Sequence, residues 1–576
     1  MSRVTGFLES RLLTYTIVFL MLLVMGVLLT KNAREDSATA DESIHILSGY
    51  ESWHGVFTVN PEHPPLGKQI DAIPLQYIKP VLPEDRTFTN AINDFYYDAW
   101  AETKSYAWNW LYNTAGNNPD RIVTAARMVV VFVTLIFGWV LFLVSQKWYG
   151  GAAGLMAVFL FVFSPMLLTH GHLANTDLWI AFGFFGSIFS FAWYLEKPDL
   201  SRMIMAAIVF AMTLLLKFSA VLLLPVLTLV WLGKYCTSGK GKAYRWKPFF
   251  GTTLVFLIVS LFFIWADYGF PQNVAPHINL NTDKAHLEQS LRLMAPLLEH
   301  LPFPVYLKGL IMTVSSSFSD RRAYVLGHFY DGGVWYYFPL AFLVKEPLAL
   351  LILLSAGIMS WCLWKKKLEF RDWLLMIPVG FYLLVSLLSR LNIGIRHLLP
   401  IYPFVFIFIS YFVSEFFARL KKSSKNALLS SCLILSFLLA WYLYANISVY
   451  PYYMTYFNEL VGGPRGGVRV LADSNIDWGQ DTKRLASWIK EQNIQEPIRM
   501  EYFWSDEVQP RYYGINFVPL KKNDPSQEGW IAIGVTALQR PEFSWLKRYQ
   551  PVKIIGNSVY VYRRERRNNP MRIEWQ

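Results

Sequence analysis

The sequence predicts a polytopic α-helical membrane protein with a large first external loop and a small external α/β domain at its C-terminal end. Three observations predict it. Of 576 residues, 54% are hydrophobic and 17% aromatic, which excludes an ordinary soluble domain. The apolar residues gather in runs long enough to cross a bilayer. From Ser448 the pattern changes to short runs separated by glycine and proline.

Eleven spans are expected. They are Leu12 to Thr30, Ile122 to Val144, Gly151 to Leu168, Leu178 to Leu195, Met203 to Leu216, Ser219 to Leu232, Phe249 to Ala266, Tyr337 to Leu363, Trp373 to Ser389, Leu398 to Ala418 and Ala427 to Ala445. The first run is too long for a cleaved signal and reads as a signal anchor. The formal charge of +12 does not indicate nucleic acid, because the basic residues form short clusters beside the spans rather than one stripe. These clusters, such as Lys234 to Lys247, Lys365 to Arg371 and Arg419 to Lys425, alternate from loop to loop. With the N-terminus cytoplasmic they all lie inside, and the short outside loops keep only Lys217, Arg390 and Arg396. The C-terminus is then external, as are both long segments, 31–120 and 271–335. The expected division is a transmembrane domain over 1–446, containing the external loop 31–120, and an external domain over 447–576.

Within the first loop, Leu66 to Ile78 and Phe95 to Tyr112 carry apolar residues at helical spacing. Trp100, Trp108, Trp110 and Tyr112 suit the headgroup zone, although a buried face would show the same pattern. In the tail, VRVLAD, IRMEYF, GWIAIGV, VKIIG and SVYVYRR read as strands and TKRLASWIKEQ as a helix. The turn Asp473 to Asp481 (DSNIDWGQD) can bind a sugar or serve as a structural strand-to-helix turn; the structural role is expected, with Asp481 or Thr482 capping the helix. Cys236, Cys362 and Cys432 support neither a disulfide framework nor a zinc site.

The chemistry concentrates in Asp41 to Lys68, DESIHILSGYESWHGVFTVNPEHPPLGK. Asp41, Glu42, His45, Glu62, His63 and Lys68 are the means to move a proton and to hold a charged leaving group. Pro61, Pro64 and Pro65 stiffen the turn that presents Glu62 and His63. For Asp41 the plain alternative is a helix cap. Ionisable residues at span ends point the same way, since they are costly there and usually functional: Arg127, Asp177, Lys217, Arg396 and His397. Cations and carboxylates on one face suit an anionic lipid headgroup. His170 and His172 lack a spacing that puts them on one helical face, and no metal site is supported. Walker, GxSxG and strand-borne GxGxxG motifs are absent.

The DE pair followed by HPPLGK resembles the first external loop of the protein O-mannosyltransferases and of the wider GT-C class of polyprenyl-phosphate-sugar glycosyltransferases. Arg127 and Arg396 match the family's arginines in the second span and before a late Leu-Pro step, and HGHLANTD matches a segment ending in an external Asp. The chain departs from the pattern at one place: the family's second acid stands two residues before the His, where this chain has Pro61, while Glu62 adjoins His63. The likeness is weakest across 271–335. The tail resembles those of bacterial mannosyltransferase-like enzymes.

The resemblance implies a GT-C-like fold and transfer of a sugar, mannose or another hexose or pentose, from a polyprenyl phosphate to an acceptor hydroxyl, with inversion and no required cofactor. Asp41 and Glu42 are then the catalytic pair, and Glu62 or Asp177 a second acid. Arg127, Arg396, Lys68 and Lys217 bind the donor phosphate, and His45, Tyr50 and His63 shape the loop and substrate site. The partners implied are the lipid-linked sugar, a protein, lipid or polysaccharide acceptor, and membrane lipids, with no nucleic acid. The membrane expected is a bacterial inner membrane. A glycolipid transporter or flippase is the alternative, and the sequence shows no inverted repeat of broken helices to favour it.

Overall fold

The computed structural model describes residues 11–57, 59–83, 98–237, 246–269, 304–317, 321–364, 367–420, 425–502 and 507–564. Parts of both long external segments (84–97 and 271–303), and several of the basic residues used for orientation, lie outside them. Among the described residues, eight helices are long and apolar enough to cross a membrane. They are Arg11–Glu35, Pro119–Tyr149, Thr176–Glu196, Phe218–Thr237, Pro248–Asp267, Phe370–Leu388, Ile395–Leu420 and Lys425–Ile447.

The other expected spans differ. The run Tyr337 to Leu363 is two helices, Tyr337–Lys345 and Leu348–Leu363, bent by 115° where Glu346 and Pro347 interrupt the ladder. The run Gly151 to Leu168 breaks at Phe163 and Ser164, ahead of Pro165, into Gly151–Val162 and Pro165–His170. Helix Leu200–Leu214 has 15 residues. By length and composition, eight or nine helices qualify among the described residues, against the eleven expected.

Small residues set the closest helix approaches. A Cβ on Gly138 would lie 2.6 Å from Leu22 and 3.2 Å from Phe161, so this glycine lets the first two spans and Gly151–Val162 meet. Outward faces carry Phe19, Val27, Leu257, Ile258, Leu433 and Phe437, all exposed and apolar, as lipid contact requires.

The first loop is compact where described. Helix Glu42–Ser52 packs on Leu66–Asp71, a contact that Gly49 permits because a Cβ there would enter the Lys68 carbonyl. Helix Asp98–Tyr112 is not a surface element. Trp108 and Trp110 are buried, and the Tyr112 hydroxyl accepts from Gln509 Nε2 at 2.9 Å. The headgroup expectation fails for these residues because helix Glu42–Ser52 and the C-terminal region both pack on this helix, the latter at Tyr112; the Trp100 side chain lies outside the described residues.

Two strands, β1 (Arg322–Val325) and β2 (His328–Asp331), form an antiparallel hairpin before Tyr337. The tail contains β3 (Ile498–Glu501), β4 (Phe517–Pro519), β5 (Gly529–Gly534), β6 (Lys553–Ile555) and β7 (Val559–Arg564). They form one sheet in the order β4-β3-β5-β7-β6, with β3 parallel to both neighbours and β7 antiparallel to both of its own. One face packs on Leu485 and Ile489 of helix Thr482–Glu491, the other on Leu538, Phe543 and Leu546. Four of the five expected strands are present. VRVLAD is not a strand: Val468 and Val470 are buried against the membrane core, and Leu471 makes one isolated bridge, to Val325. The cysteines are free.

Candidate active site

A cavity of about 1010 Å³ opens between the first loop, the ends of several spans, the β1–β2 hairpin and the tail. It is at the upper end of small-molecule site volumes, which run to about 1,000 Å³. Asp41, His45, Glu62, His63, Lys217 and Arg396 line it. All of these come from segments that the charge bias assigns to one side of the membrane, although they are scattered through the chain.

The cation end is built around Asp177. Asn175 caps the helix that begins at Thr176, its side chain accepting from the Asp177 N–H at 3.0 Å. The Asp177 carboxylate then accepts from Lys217 Nζ at 2.5 Å through one oxygen and from Arg396 Nη1 at 3.1 Å through the other. Arg396 is fixed from above by Trp478, whose ring lies 4.1 Å from the guanidinium carbon. Its Nε–H is buried without a hydrogen-bond partner among the described residues. Two cations share the Asp177 carboxylate here, and neither has that carboxylate to itself.

Asp41 stands beside this cluster, its Oδ2 3.6 Å from Arg396 Nη1. It occupies the N-cap position of Glu42–Ser52 but makes no side-chain cap bond. The carboxylate is therefore not spent on the helix.

Glu42 and Arg127 are placed differently from the sequence expectation. Neither lines the cavity, and both are fully buried. Arg127 donates to Glu42 at 2.7 and 2.6 Å, and to the carbonyls of Ala33, Asp36 and Ser37. All five of its N–H groups are thus used, which leaves none for a phosphate. Glu42 also accepts from the Thr39 N–H, the Thr39 hydroxyl and the Ala174 N–H. Burial would raise the Glu42 carboxyl, but the Arg127 guanidinium outweighs it and holds the group below its usual range. This pair staples the start of the loop to the second span and to the segment before Asp177.

Lys68 is also spent, on Asn60 O at 3.0 Å and His63 O at 2.7 Å. Burial lowers its ammonium to about 7. It closes the proline-fixed turn rather than lining the cavity. The Glu62 carbonyl accepts from Thr313 at 2.9 Å, and burial raises the Glu62 carboxyl. His45 and His63 meet with tilted rings, their centres 5.0 Å apart; burial lowers both, His45 to about 3, so both are neutral. Tyr50 is packed edge-on against His54, away from the cavity. His172 pairs with Asp36 at 3.0 Å and His170 meets the Trp478 ring, so the two histidines face different partners. Among the described residues, no group of three or more His, Cys, Asp or Glu side chains is arranged to hold a metal.

The sequence reading missed much of the cavity's far wall. Arg321, Arg322 and Asp331 come from the hairpin end, and Asp473, Trp478, Arg540 and Glu542 from the tail. The acidic turn at Asp473 was the one visible signal. Its capping role is not realised: Asp481 makes no side-chain cap bond, and its carboxylate accepts instead from Arg484 and Ser558, both at 2.6 Å.

The chain is similar in fold, at 11% identity and a TM-score of 0.47, to the apo oligosaccharyltransferase of Archaeoglobus fulgidus, over 94% of this chain and 73% of that one. It is similar at 13% identity and a TM-score of 0.43 to ArnT from Cupriavidus metallidurans bound to undecaprenyl phosphate, over 94% of this chain and 97% of that one. No curated protein matches it in sequence. Residues 120–265, which hold Arg127, Asp177 and Lys217, match the family described as dolichyl-phosphate-mannose-protein mannosyltransferase. Over that stretch the likeness to membrane glycosyltransferases read from the sequence is borne out.

Proposed function

We propose that this chain is a membrane glycosyltransferase that moves a sugar from a polyprenyl phosphate to an acceptor hydroxyl. One observation carries the reading: an uncommitted carboxylate, Asp41, lies 3.6 Å from a cation that shares Asp177 with Lys217, in a cavity large enough for two substrates. The family match over 120–265 supports the same reaction class.

The donor phosphate binds at Arg396 and Lys217. The acceptor oxygen attacks the anomeric carbon from the face opposite the phosphate, and its proton passes to Asp41. As the new C–O bond forms, the bond to the phosphate oxygen breaks and its electron pair leaves with the phosphate. The Arg396 and Lys217 charges stabilise that oxygen, so the leaving group needs no proton. In-line attack inverts the anomeric centre. Glu42, Arg127 and Lys68 act through others: the first two fix the backbone beside Asp41, and Lys68 fixes the turn that carries Glu62 and His63.

The donor sugar is mannose or another hexose or pentose, and the site is external, on a bacterial inner membrane. The lysine and arginine bias supports that orientation. A periplasmic-type reporter fused after Tyr450 is active if it is right and silent if it is wrong. The reaction itself is tested by incubating the reconstituted protein with labelled polyprenyl-phosphate sugars. A labelled product with loss of the lipid-linked sugar supports transfer; movement of the intact glycolipid across the bilayer without bond breakage establishes a flippase instead.

A further inference from the structure

We propose that Asp473, delivered to the cavity by the tail, holds hydroxyl groups of a sugar there and makes the C-terminal region a specificity element of the site. The inference rests on the glycosyltransferase reading.

Three features of this turn point to a ligand rather than to a fold requirement. First, the turn is fixed to the membrane domain beside Arg396. The Ser474 hydroxyl donates to Ile393 O at 2.6 Å, the Asn475 amide donates to the Tyr337 hydroxyl at 2.8 Å and accepts from the Ile395 N–H at 3.0 Å, and Lys345 Nζ donates to Asn475 O at 2.5 Å. Trp478, from the same turn, stacks on Arg396. Asp473 is therefore held in place beside the cation proposed to bind the donor phosphate.

Second, the carboxylate is only half used. Its Oδ1 accepts from the Ser474 N–H at 2.6 Å, while its own N–H donates to Thr536. No hydrogen bond is formed by Oδ2 among the described residues, and the side chain lines the cavity. An oxygen with open lone pairs beside a guanidinium suits a sugar hydroxyl, which donates to it. Third, burial raises the Asp473 carboxyl to about 6, with Arg396 and Arg321 opposing and Asp41 adding to the shift. An acid kept in this position carries a desolvation cost that a neutral residue would avoid.

The competing account is conformational. Asp473 has φ +60°, a left-handed conformation in which Asp and Asn are both enriched. Asp473→Asn separates the two accounts. Asparagine keeps the backbone and the Oδ1 acceptor for Ser474, and changes only the second oxygen and the charge.

Full-length protein in lipid nanodiscs is titrated with undecaprenyl phosphate, with its mannosyl, glucosyl and galactosyl forms, and with methyl α-mannoside in the presence of saturating undecaprenyl phosphate. Hydrogen bonds to a charged group set the expected loss in Asp473→Asn at about 10- to 100-fold for a sugar-bearing ligand. Affinity for bare undecaprenyl phosphate stays unchanged, which also reports an intact fold. A loss confined to the glycosylated lipids places Asp473 on the donor sugar; a loss confined to methyl mannoside places it on the acceptor. The inference is overturned if no sugar-bearing ligand is weakened, if bare lipid is weakened equally, or if the parent protein binds bare lipid but discriminates no sugar. A parent protein that binds no undecaprenyl phosphate at all overturns the glycosyltransferase reading as well.

Discussion

Glu42→Gln tests whether the second member of the DE pair acts in the chemistry or in the framework. The geometry assigns it to the framework. The side chain is fully buried, accepts two bonds from Arg127 at 2.6 and 2.7 Å, and accepts three more from Thr39 and Ala174. Glutamine keeps the shape, but the Thr39 and Ala174 N–H groups bond different carboxylate oxygens, so its one carbonyl oxygen can accept from only one of them. It leaves the Arg127 guanidinium buried without a counter-charge and turns an amide N–H₂ toward a donor. Removing one partner of a buried pair costs about 3–5 kcal/mol. At about 1.4 kcal/mol per tenfold, the folded-to-unfolded ratio falls by about 10²–10⁴. Thermal unfolding in detergent, followed by tryptophan fluorescence, measures this directly. The double variant Glu42→Gln/Arg127→Met removes the stranded charge and recovers part of the loss, with a coupling of about 0.5–3 kcal/mol. A Glu42→Gln protein as stable as its parent, yet inactive at a temperature where both are folded, would refute the framework role and return Glu42 to the chemistry.

Two further outcomes follow from the site and its surroundings. Asp41→Asn lowers transfer by about 10²–10⁴-fold, the usual range for loss of a general base, while unfolding temperature and undecaprenyl phosphate affinity stay near those of the parent; near-normal turnover would remove the base from the mechanism. Asp477 is buried with one oxygen unpartnered, and burial raises its carboxyl from 3.8 to about 8. The folded state holds this proton more tightly than the unfolded state, so its contribution to stability is full below pH ~4 and is lost as pH rises through ~8. Asp477→Asn therefore stabilises the protein more at pH 8 than at pH 5, which unfolding temperatures at the two values check; an equal gain at both would show that the carboxyl is not held protonated.

The legible parts of this molecule are those where a single residue violates its surroundings. Asp177, Lys217 and Arg396 stand out because charge at a span end is costly, and they do meet. Arg127 stands out for the same reason, but its partner Glu42 lies 85 residues away, and no spacing rule connects a loop acid to a span arginine. Hydropathy has no direction, so Tyr337 to Leu363 reads as one span. The Lys345-Glu346-Pro347 step was the available sign of the bend. Amphipathic spacing says that Trp108 and Trp110 have a buried side without saying what buries them. VRVLAD alternates like a strand, yet its apolar residues serve the membrane core instead of a sheet. The far wall of the cavity was the least legible part, because it comes from the tail and depends on docking that no local pattern encodes.

The adjacency of Asp41 and Glu42 explains how the loop can be rigid while the proposed base stays open. A general base must be held within hydrogen-bond reach of its substrate, yet every bond that holds the base itself uses a lone pair the reaction needs. Here the neighbouring residue supplies the rigidity. Five bonds converge on Glu42, four of them from the Arg127 guanidinium and Thr39, and one from the segment leading to Asp177. The same bonds fix the Asp41 backbone one residue away, relative to both the second span and the helix that bears Asp177. Asp41 in turn makes no cap bond, and among the described residues its ion-pair partner is Arg396 at 3.6 Å. That distance is longer than a hydrogen bond, so the guanidinium lies beside the carboxylate without occupying its lone pairs. Arg396 is oriented by Asp177 and Trp478 rather than by Asp41. The two ends of the site, the proposed base Asp41 and the cation Arg396, are thus each held by neighbours, and the cavity between them remains for the proposed substrate.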